Sequence, residues 1–165
     1  MSSYHNHASL AERYEHLVNV MSSRRFLDMQ GLGNEVPFFI CPFKPVDTVA
    51  INSLQQQLIN KLEQLGVRVF EVNLYDLSVD LIRERGLFER IEELEPTLSK
   101  DQLKELLQNI LDPEQHLVPE IAKRIELAEY DVLFVTGVGE VFPYIRSHNV
   151  LNNLQKEAKS KPTVM

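Results

Sequence analysis

Two glycines stand between a predicted strand and a predicted helix, which is where open α/β sheets bind their ligands. Gly137 and Gly139 directly follow the apolar run at 132–135. Backbone N–H groups at such a turn can bind an anion such as phosphate. The dinucleotide fingerprint, however, requires a third glycine where this chain has Phe142, and no P-loop lysine follows. The motif therefore indicates either a tight turn or a nucleotide- or anion-sensing site.

A cluster of polar residues follows the glycine turn and would lie on the next helix. It contains Arg146, His148, Asn152 and Asn153, and His148 and Asn152 share one helical face because they are four residues apart. These side chains either bind a ligand or a partner's backbone, or are solvated. His148 has no cysteine or aspartate at a triad-like position, so acyl-transfer chemistry has little support. We therefore assign no catalytic residue to this cluster.

Two carboxylates, those of Asp76 and Glu140, follow predicted strands and are expected at one edge of the sheet. Paired carboxylates can hold Mg²⁺ or act in acid–base catalysis. The alternative is that Asp76 or Ser78 caps a helix, which is the more frequent role of such residues. Because no complete set of catalytic groups assembles, we expect a protein that is not an enzyme and has neither a metal site nor a cofactor.

Two aromatic residues, Phe142 and Tyr144, lie in the segment after the glycine turn. Aromatic side chains near a surface turn make good anchors for a protein partner. The other interpretation is that both rings pack under the edge of the sheet. The residues alone do not decide between these two placements.

Composition and charge limit the classes of partner. The 165 residues include 17 basic and 24 acidic ones, for a net charge of -7. This charge disfavours direct nucleic-acid binding, because such binding depends on phosphate neutralisation by Lys and Arg. The only candidate basic patch is Arg146 with Lys156, Lys159 and Lys161. No apolar run approaches the length of a membrane span, and the single cysteine, Cys41, fits a reducing cytoplasm and a place in the core.

The hydrophobic pattern predicts an α/β protein with an open, mostly parallel sheet flanked by helices, in a Rossmann-like or P-loop-like order without a Walker motif. Strands are expected at 38–41, 67–72, 132–135 and 162–165, and an amphipathic helix near 10–21 precedes them, followed by a turn at 31–34. Helices between the second and third strands exceed what a crossover needs. We therefore expect them to form a helical insertion.

Capping residues predict where several helices begin and end. Asp47 or Thr48 is expected to cap the helix that Gly66 ends. Ser99 begins a capping box, and Asp112 caps a helix that restarts at the following proline. Pro143 is expected in the first turn of the last helix.

The chain shows no linker or repeat, so residues 1–165 are predicted to form one domain. The last strand is only beginning at 162–165, where a natural domain seldom stops. We therefore expect that the chain is truncated at its C-terminus.

Four stretches together resemble the BrxB family, small components of bacterial BREX phage-defence systems. They are 31–38 (GLGNEVPF), 74–77 (LYDL), 109–114 (NILDPE) and 134–155 (FVTGVGEVFPYIRSHNVLNNLQ). The last stretch is long enough to be specific, whereas the short turns alone would not be. The resemblance covers the chain from about Glu12 onward, and the family continues past a strand like 162–165.

The resemblance implies a context and a set of partners, but no active site. BREX systems distinguish self DNA by methylation and block phage replication. Proteins similar to BrxB accompany a large ATPase, an alkaline-phosphatase-like protein called PglZ and a methyltransferase called PglX. Together with the lack of a catalytic set and the acidic helical insertion, the resemblance predicts a cytoplasmic adaptor that binds other BREX proteins, the PglZ-like protein first, and its oligomeric state stays open.

Overall fold

A parallel four-stranded sheet lies at the centre of the computed structural model, which describes residues 8–33, 35 and 37–165. The strands are β1 (Phe38–Phe39), β2 (Val69–Asn73), β3 (Val132–Thr136) and β4 (Thr163–Val164), in the spatial order β1-β4-β3-β2. All three neighbouring pairs are parallel, and β2 and β3 pair over their full length. The predicted α/β class with a parallel sheet is confirmed.

Eight α-helices surround this sheet in the described part of the chain. They are α1 (Leu10–Met21), α2 (Arg24–Leu27), α3 (Thr48–Gln64), α4 (Leu74–Glu84), α5 (Phe88–Leu94), α6 (Lys100–Ile110), α7 (Val118–Glu126) and α8 (Ser147–Leu154). Short 3₁₀ turns occupy Pro45–Asp47, Glu95–Thr97 and Val138–Glu140, and a π-helical turn occupies Pro113–Leu117. Helices α4 to α7 lie between β2 and β3, as the predicted insertion requires. None of these helices has the length and apolar character needed to cross a bilayer.

Each face of the sheet carries its own hydrophobic core, because successive side chains of a strand point to opposite faces. Val132 and Phe134 of β3 pack with α1 and α3, whose buried residues include Met21 and Leu62. The alternate residues of β3, Leu133 and Val135, pack with α4, α7 and α8. We call the helices α1 to α3 the first layer and α4 to α8 the second layer.

Several predicted helix ends are present. Ser99 accepts from the N–H of Gln102 at 3.2 Å and its own N–H donates to the Gln102 side chain at 2.9 Å, which completes the capping box. Asp112 accepts from the N–H of Gln115 at 2.8 Å, although the turn that it caps is a π-helical one. Gly66 ends α3 with a φ of 83°, a conformation that glycine adopts without strain.

Two predicted helix caps are not formed by the side chains that were named, although α3 begins where it was predicted to begin, at Thr48 with Asp47 in the capping position. Asp47 precedes α3 but makes no side-chain cap bond, and Thr48 donates from its hydroxyl to the Pro45 carbonyl because a 3₁₀ turn leads into the helix. Helix α4 begins at Leu74, so Ser78 lies inside it, buried, with its hydroxyl bonded to the Leu74 carbonyl.

Pro143 is likewise outside the last helix. It follows a cis peptide bond with Phe142, and α8 begins only at Ser147. The predicted first strand is shorter than expected, since β1 comprises only Phe38 and Phe39. The predicted turn at 31–34 has positive φ at Gly31 and Gly33, while Asn34 lies outside the described residues.

Candidate functional site

A crevice opens at the carboxyl edge of the sheet, above β4. The chain leaves β1 toward the first layer and leaves β3 toward the second layer, so the two connections diverge on either side of β4. Such a divergence is where open α/β sheets bind ligands. The crevice has a volume of about 530 Å³. Its lining residues come from α1, from 40–58, from Phe134 to Glu140, and from Ser147, Val164 and Met165.

The walls of the crevice are mainly apolar. Ile40, Phe43 and Ile51 contribute to the side formed by β1 and α3, and Phe134 and Val164 contribute to the floor. Among the described lining residues Glu140 is the only acidic one, and none is lysine or arginine. A bound phosphate would therefore find no neutralising cation on these walls.

The connection between β1 and α3 stands where a P-loop would stand in a strand–loop–helix unit. A P-loop surrounds phosphates with glycine N–H groups and adds a lysine. Residues 41–48 (CPFKPVDT) contain no glycine, and Lys44 is exposed and absent from the crevice lining. This connection therefore does not have the chemistry of a phosphate cradle.

The glycine turn after β3 is a tight structural contact. Gly137 has a φ of 70°, and a Cβ at this position would lie 2.5 Å from Oδ1 of Asn73. That oxygen already accepts from the N–H groups of Tyr75 and Asp76, at 2.9 and 3.2 Å, and so caps α4. Gly139 has open space where a Cβ would be. The requirement for glycine thus comes from packing at Gly137, which supports the interpretation as a tight turn.

The sequence gives no indication that the carboxylate of Glu71 lies beside the crevice. Oε1 of Glu71 accepts from Nε2 of Gln55 at 2.7 Å and from Oγ1 of Thr136 at 2.8 Å. The three residues join α3, β2 and β3, and Gln55 and Thr136 line the crevice. An acidic residue in a strand pattern carries no signal for such a contact, because the partners are distant in the sequence.

The two aromatic residues lie on the outside of the loop that precedes α8. Phe142 is 69% exposed and Tyr144 is 36% exposed, while Val141 and Ile145 beside them are buried. Nε2 of Gln108 donates to the Pro143 carbonyl at 3.0 Å, which holds the loop against α6 of the second layer. We call Phe142 and Tyr144 on this fixed loop the aromatic loop. The Phe142 ring does not pack under the sheet edge.

The predicted polar cluster lies on the surface of α8. Arg146, His148 and Asn152 are exposed, and Asn153 donates from its amide to the Asn149 carbonyl at 2.8 Å. None of the four lines the crevice, whereas Gly137, Gly139 and Glu140 do. The structure therefore divides the predicted site residues among the crevice, the aromatic loop and the face of α8.

The two carboxylates proposed for metal binding have separate surroundings. Asp76 lies in the first turn of α4, with its N–H bonded to Asn73, and Glu140 lies at the mouth of the crevice. Across residues 8–33, 35 and 37–165, no three His, Cys, Asp or Glu side chains gather into a metal-binding group. Cys41 is half-buried, with its sulfur 3.6 Å from Nη2 of Arg13.

The family model and the related sequences that match this chain belong to one family. The family model for BREX protein BrxB matches residues 70–165. The BREX protein BrxB of Bacillus cereus (strain H3081.97) is 30% identical over 161 residues, which cover 93% of this chain and 81% of that protein. The BREX protein BrxB of Escherichia coli O9:H4 (strain HS) is 28% identical over 156 residues, covering 94% of this chain and 77% of that protein. No solved structure matches the chain significantly.

Proposed function

Because the chain belongs to the BrxB family of BREX proteins, we propose that it acts as a non-enzymatic adaptor that binds other proteins of its BREX system. The observation that carries this proposal is the aromatic loop. Phe142 exposes 69% of its surface on a backbone held between two buried neighbours, Val141 and Ile145. Exposed aromatic side chains on a fixed backbone bind with little entropy loss and are frequent centres of protein interfaces.

The first partner that we propose is the PglZ-like protein of the same system, followed by the ATPase and the methyltransferase. The net charge of -7 supports a protein partner over nucleic acid, since duplex binding draws on Lys and Arg contacts to phosphate. We expect no catalytic contribution from this chain to the complex.

The alternative, a nucleotide- or anion-sensing module at Gly137–Gly139, receives less support from the geometry. Gly137 is explained by its contact with Asn73, and the described crevice walls contain no lysine or arginine. Calorimetry with ATP, GTP and dinucleotides, with and without Mg²⁺, tests this alternative. Saturable heat with any of them would restore it.

The adaptor proposal is tested by titrating each purified BREX protein into this chain and into its Phe142→Ala variant. We expect one of them to bind at micromolar concentration or below, and we expect the variant to bind at least about tenfold more weakly, the loss typical of a buried anchor. The matched control is Leu127→Ala. Leu127 is 82% exposed, but it precedes the amino end of β3, whereas the aromatic loop follows the carboxyl end of that strand. Binding by none of the proteins would contradict the proposal.

A further inference from the structure

We infer that the helical insertion, α4 to α7, fixes the conformation of the aromatic loop before a partner binds, and that Gln108 of α6 is the residue that positions the loop. This inference rests on the proposed adaptor function and assigns a part in it to the insertion. Gln108 acts through Phe142 and Tyr144, which contact the partner, and makes no contact with the partner itself.

One side-chain hydrogen bond joins the aromatic loop to the insertion. Nε2 of Gln108 donates to the Pro143 carbonyl at 3.0 Å, and this contact is partly buried. Residue 143 lies between the two exposed aromatic residues, Phe142 and Tyr144. Because proline has no N–H, the carbonyl is the only backbone group through which a hydrogen bond can hold this position.

The other hydrogen bonds of the loop stay within it or lead into α8. The N–H groups of Tyr144 and Ile145 donate to the Val141 carbonyl, at 2.9 and 3.0 Å, and the Arg146 carbonyl accepts from the N–H of Asn149 at 3.0 Å. Among the hydrogen bonds that the structure describes for 141–146, the one from Gln108 is therefore the only one that comes from outside this segment and α8.

Apolar packing fixes the two ends of the loop but not the peptide between them. Val141 and Ile145 are 4% and 2% exposed and belong to the second-layer core, together with Ile110 and Leu111 at the end of α6. Burial of apolar side chains is non-directional, whereas a hydrogen bond requires a particular distance and angle. The bond from Gln108 therefore determines how the backbone that carries the aromatic rings is oriented.

The end of α6 that presents Gln108 is itself anchored. Nη1 of Arg85, the residue after α4, donates to the Ile110 carbonyl at 2.9 Å. This carbonyl belongs to the last residue of α6, where a helix leaves its acceptors without internal partners and where a positive charge is favourable. Gln108 is two residues before this contact. Helices α4 and α6 thus form one support from which the amide of Gln108 reaches the loop.

The support matters for binding because an ordered loop loses less conformational entropy in a complex. Phe142 exposes 69% of its surface, so its own side chain gives the loop little packing energy in the free protein. Without the bond from Gln108, the segment between Val141 and Ile145 would sample more conformations, and binding would have to restrict them. The insertion thus has a function beyond the crossover from β2 to β3.

The inference is tested with the BREX protein that binds in the titration above, using Gln108→Met, which keeps the length of the side chain but removes its N–H donor. We expect this variant to bind about three- to tenfold more weakly. Gln108→Lys restores an N–H donor and should recover most of the loss. The matched control is Asn109→Met, at the exposed neighbouring position of α6, which should leave binding unchanged.

A double-mutant cycle with Phe142→Ala separates positioning from direct contact. If Gln108 acts through the aromatic loop, Gln108→Met should weaken binding by less than about twofold once the Phe142 ring is absent. In the free protein, Gln108→Met should speed hydrogen exchange of the Tyr144 amide. Exchange of the Leu111 amide, which is bonded to the Leu107 carbonyl at the end of α6, should stay unchanged.

Several results would overturn the inference. An equal loss from Gln108→Met with and without the Phe142 ring would show that Gln108 contacts the partner directly. Unchanged affinity, or unchanged exchange at Tyr144, would show that the bond does not order the loop, while the adaptor function would stand. Failure of every BREX protein to bind would remove the proposed function and this role of Gln108 together, even if exchange at Tyr144 became faster.

Discussion

At the scale of single residues, the close approach of Gly137 to Asn73 connects the turn after β3 with the first turn of α4. Any side chain at Gly137 would meet the amide of Asn73, and its φ of 70° disfavours other residues in any case. The sequence places a glycine turn here correctly, but it does not reveal the contact, because Asn73 and Gly137 are distant along the chain. The contact changes the interpretation of the motif from ligand binding toward packing.

Gly137→Ala is therefore expected to lower the free energy of unfolding by about 1–3 kcal/mol, from backbone strain and the clash with Asn73. Gly139→Ala is the matched control, because nothing lies within 4 Å of a Cβ there. We expect the control to change stability by less than about 1 kcal/mol. Urea unfolding measures both, and equal losses for the two variants would contradict this account of the turn.

The ion pair between Arg68 and Asp131 has a pH-dependent effect. The guanidinium of Arg68 bonds both carboxylate oxygens of Asp131, at 3.0 and 3.1 Å, and lowers the pKa of Asp131 below its usual value. A lowered pKa stabilises the fold above the unfolded value of about 3.9, and this stabilisation is lost as the pH falls through the folded value.

We accordingly expect Asp131→Asn to be less stable than the wild type at pH 6 and to approach it in stability as the pH falls below about 4. The measurement is the urea midpoint of both proteins from pH 6 to pH 3. The effect at pH 6 should be modest, since Arg68 is half-exposed. A constant difference between the two proteins across this range would show that Asp131 does not act through its charge.

At the scale of elements, local patterns predict helices and strands better than they predict their ends. The apolar spacing of α1 and the apolar run of β3 are properties of the elements themselves, and both were predicted closely. The residue at which a helix begins depends on the conformation of the chain that leads into it. A 3₁₀ turn leads into α3 and makes Asp47 unnecessary as a cap, while Asn73, the last residue of β2, caps α4 immediately.

This difference predicts the outcome of two substitutions. Asn73→Ala should cost about 1 kcal/mol, because two N–H groups of α4 lose their acceptor. Asp47→Ala should cost less than about 0.5 kcal/mol, because the Asp47 side chain makes no cap bond. Urea unfolding of the two variants distinguishes the structure from the sequence-based prediction, which named Asp47 or Thr48 as a cap and did not name Asn73.

At the scale of the whole molecule, the order of the strands creates the candidate site. Inserting β4 between β1 and β3 brings the connections after β1 and β3 to opposite sides of one crevice. The four strands were predicted from their sequences, but their order was not, because strand pairing joins residues that are distant along the chain. The contribution of residues from 40–48 to the crevice wall was likewise not predicted, because the opposite wall comes from residues that are distant along the chain.

A mass measurement shows whether this BrxB family member is an assembly component. The protein is mixed with the PglZ-like protein of its own BREX system, and the mixture is separated by size-exclusion chromatography with light scattering. We expect a new peak with the summed mass of a defined complex, and a smaller one when Phe142→Ala replaces the wild type. Two unshifted peaks with the PglZ-like protein, and again with the ATPase and the methyltransferase, would show that the chain does not assemble with these proteins.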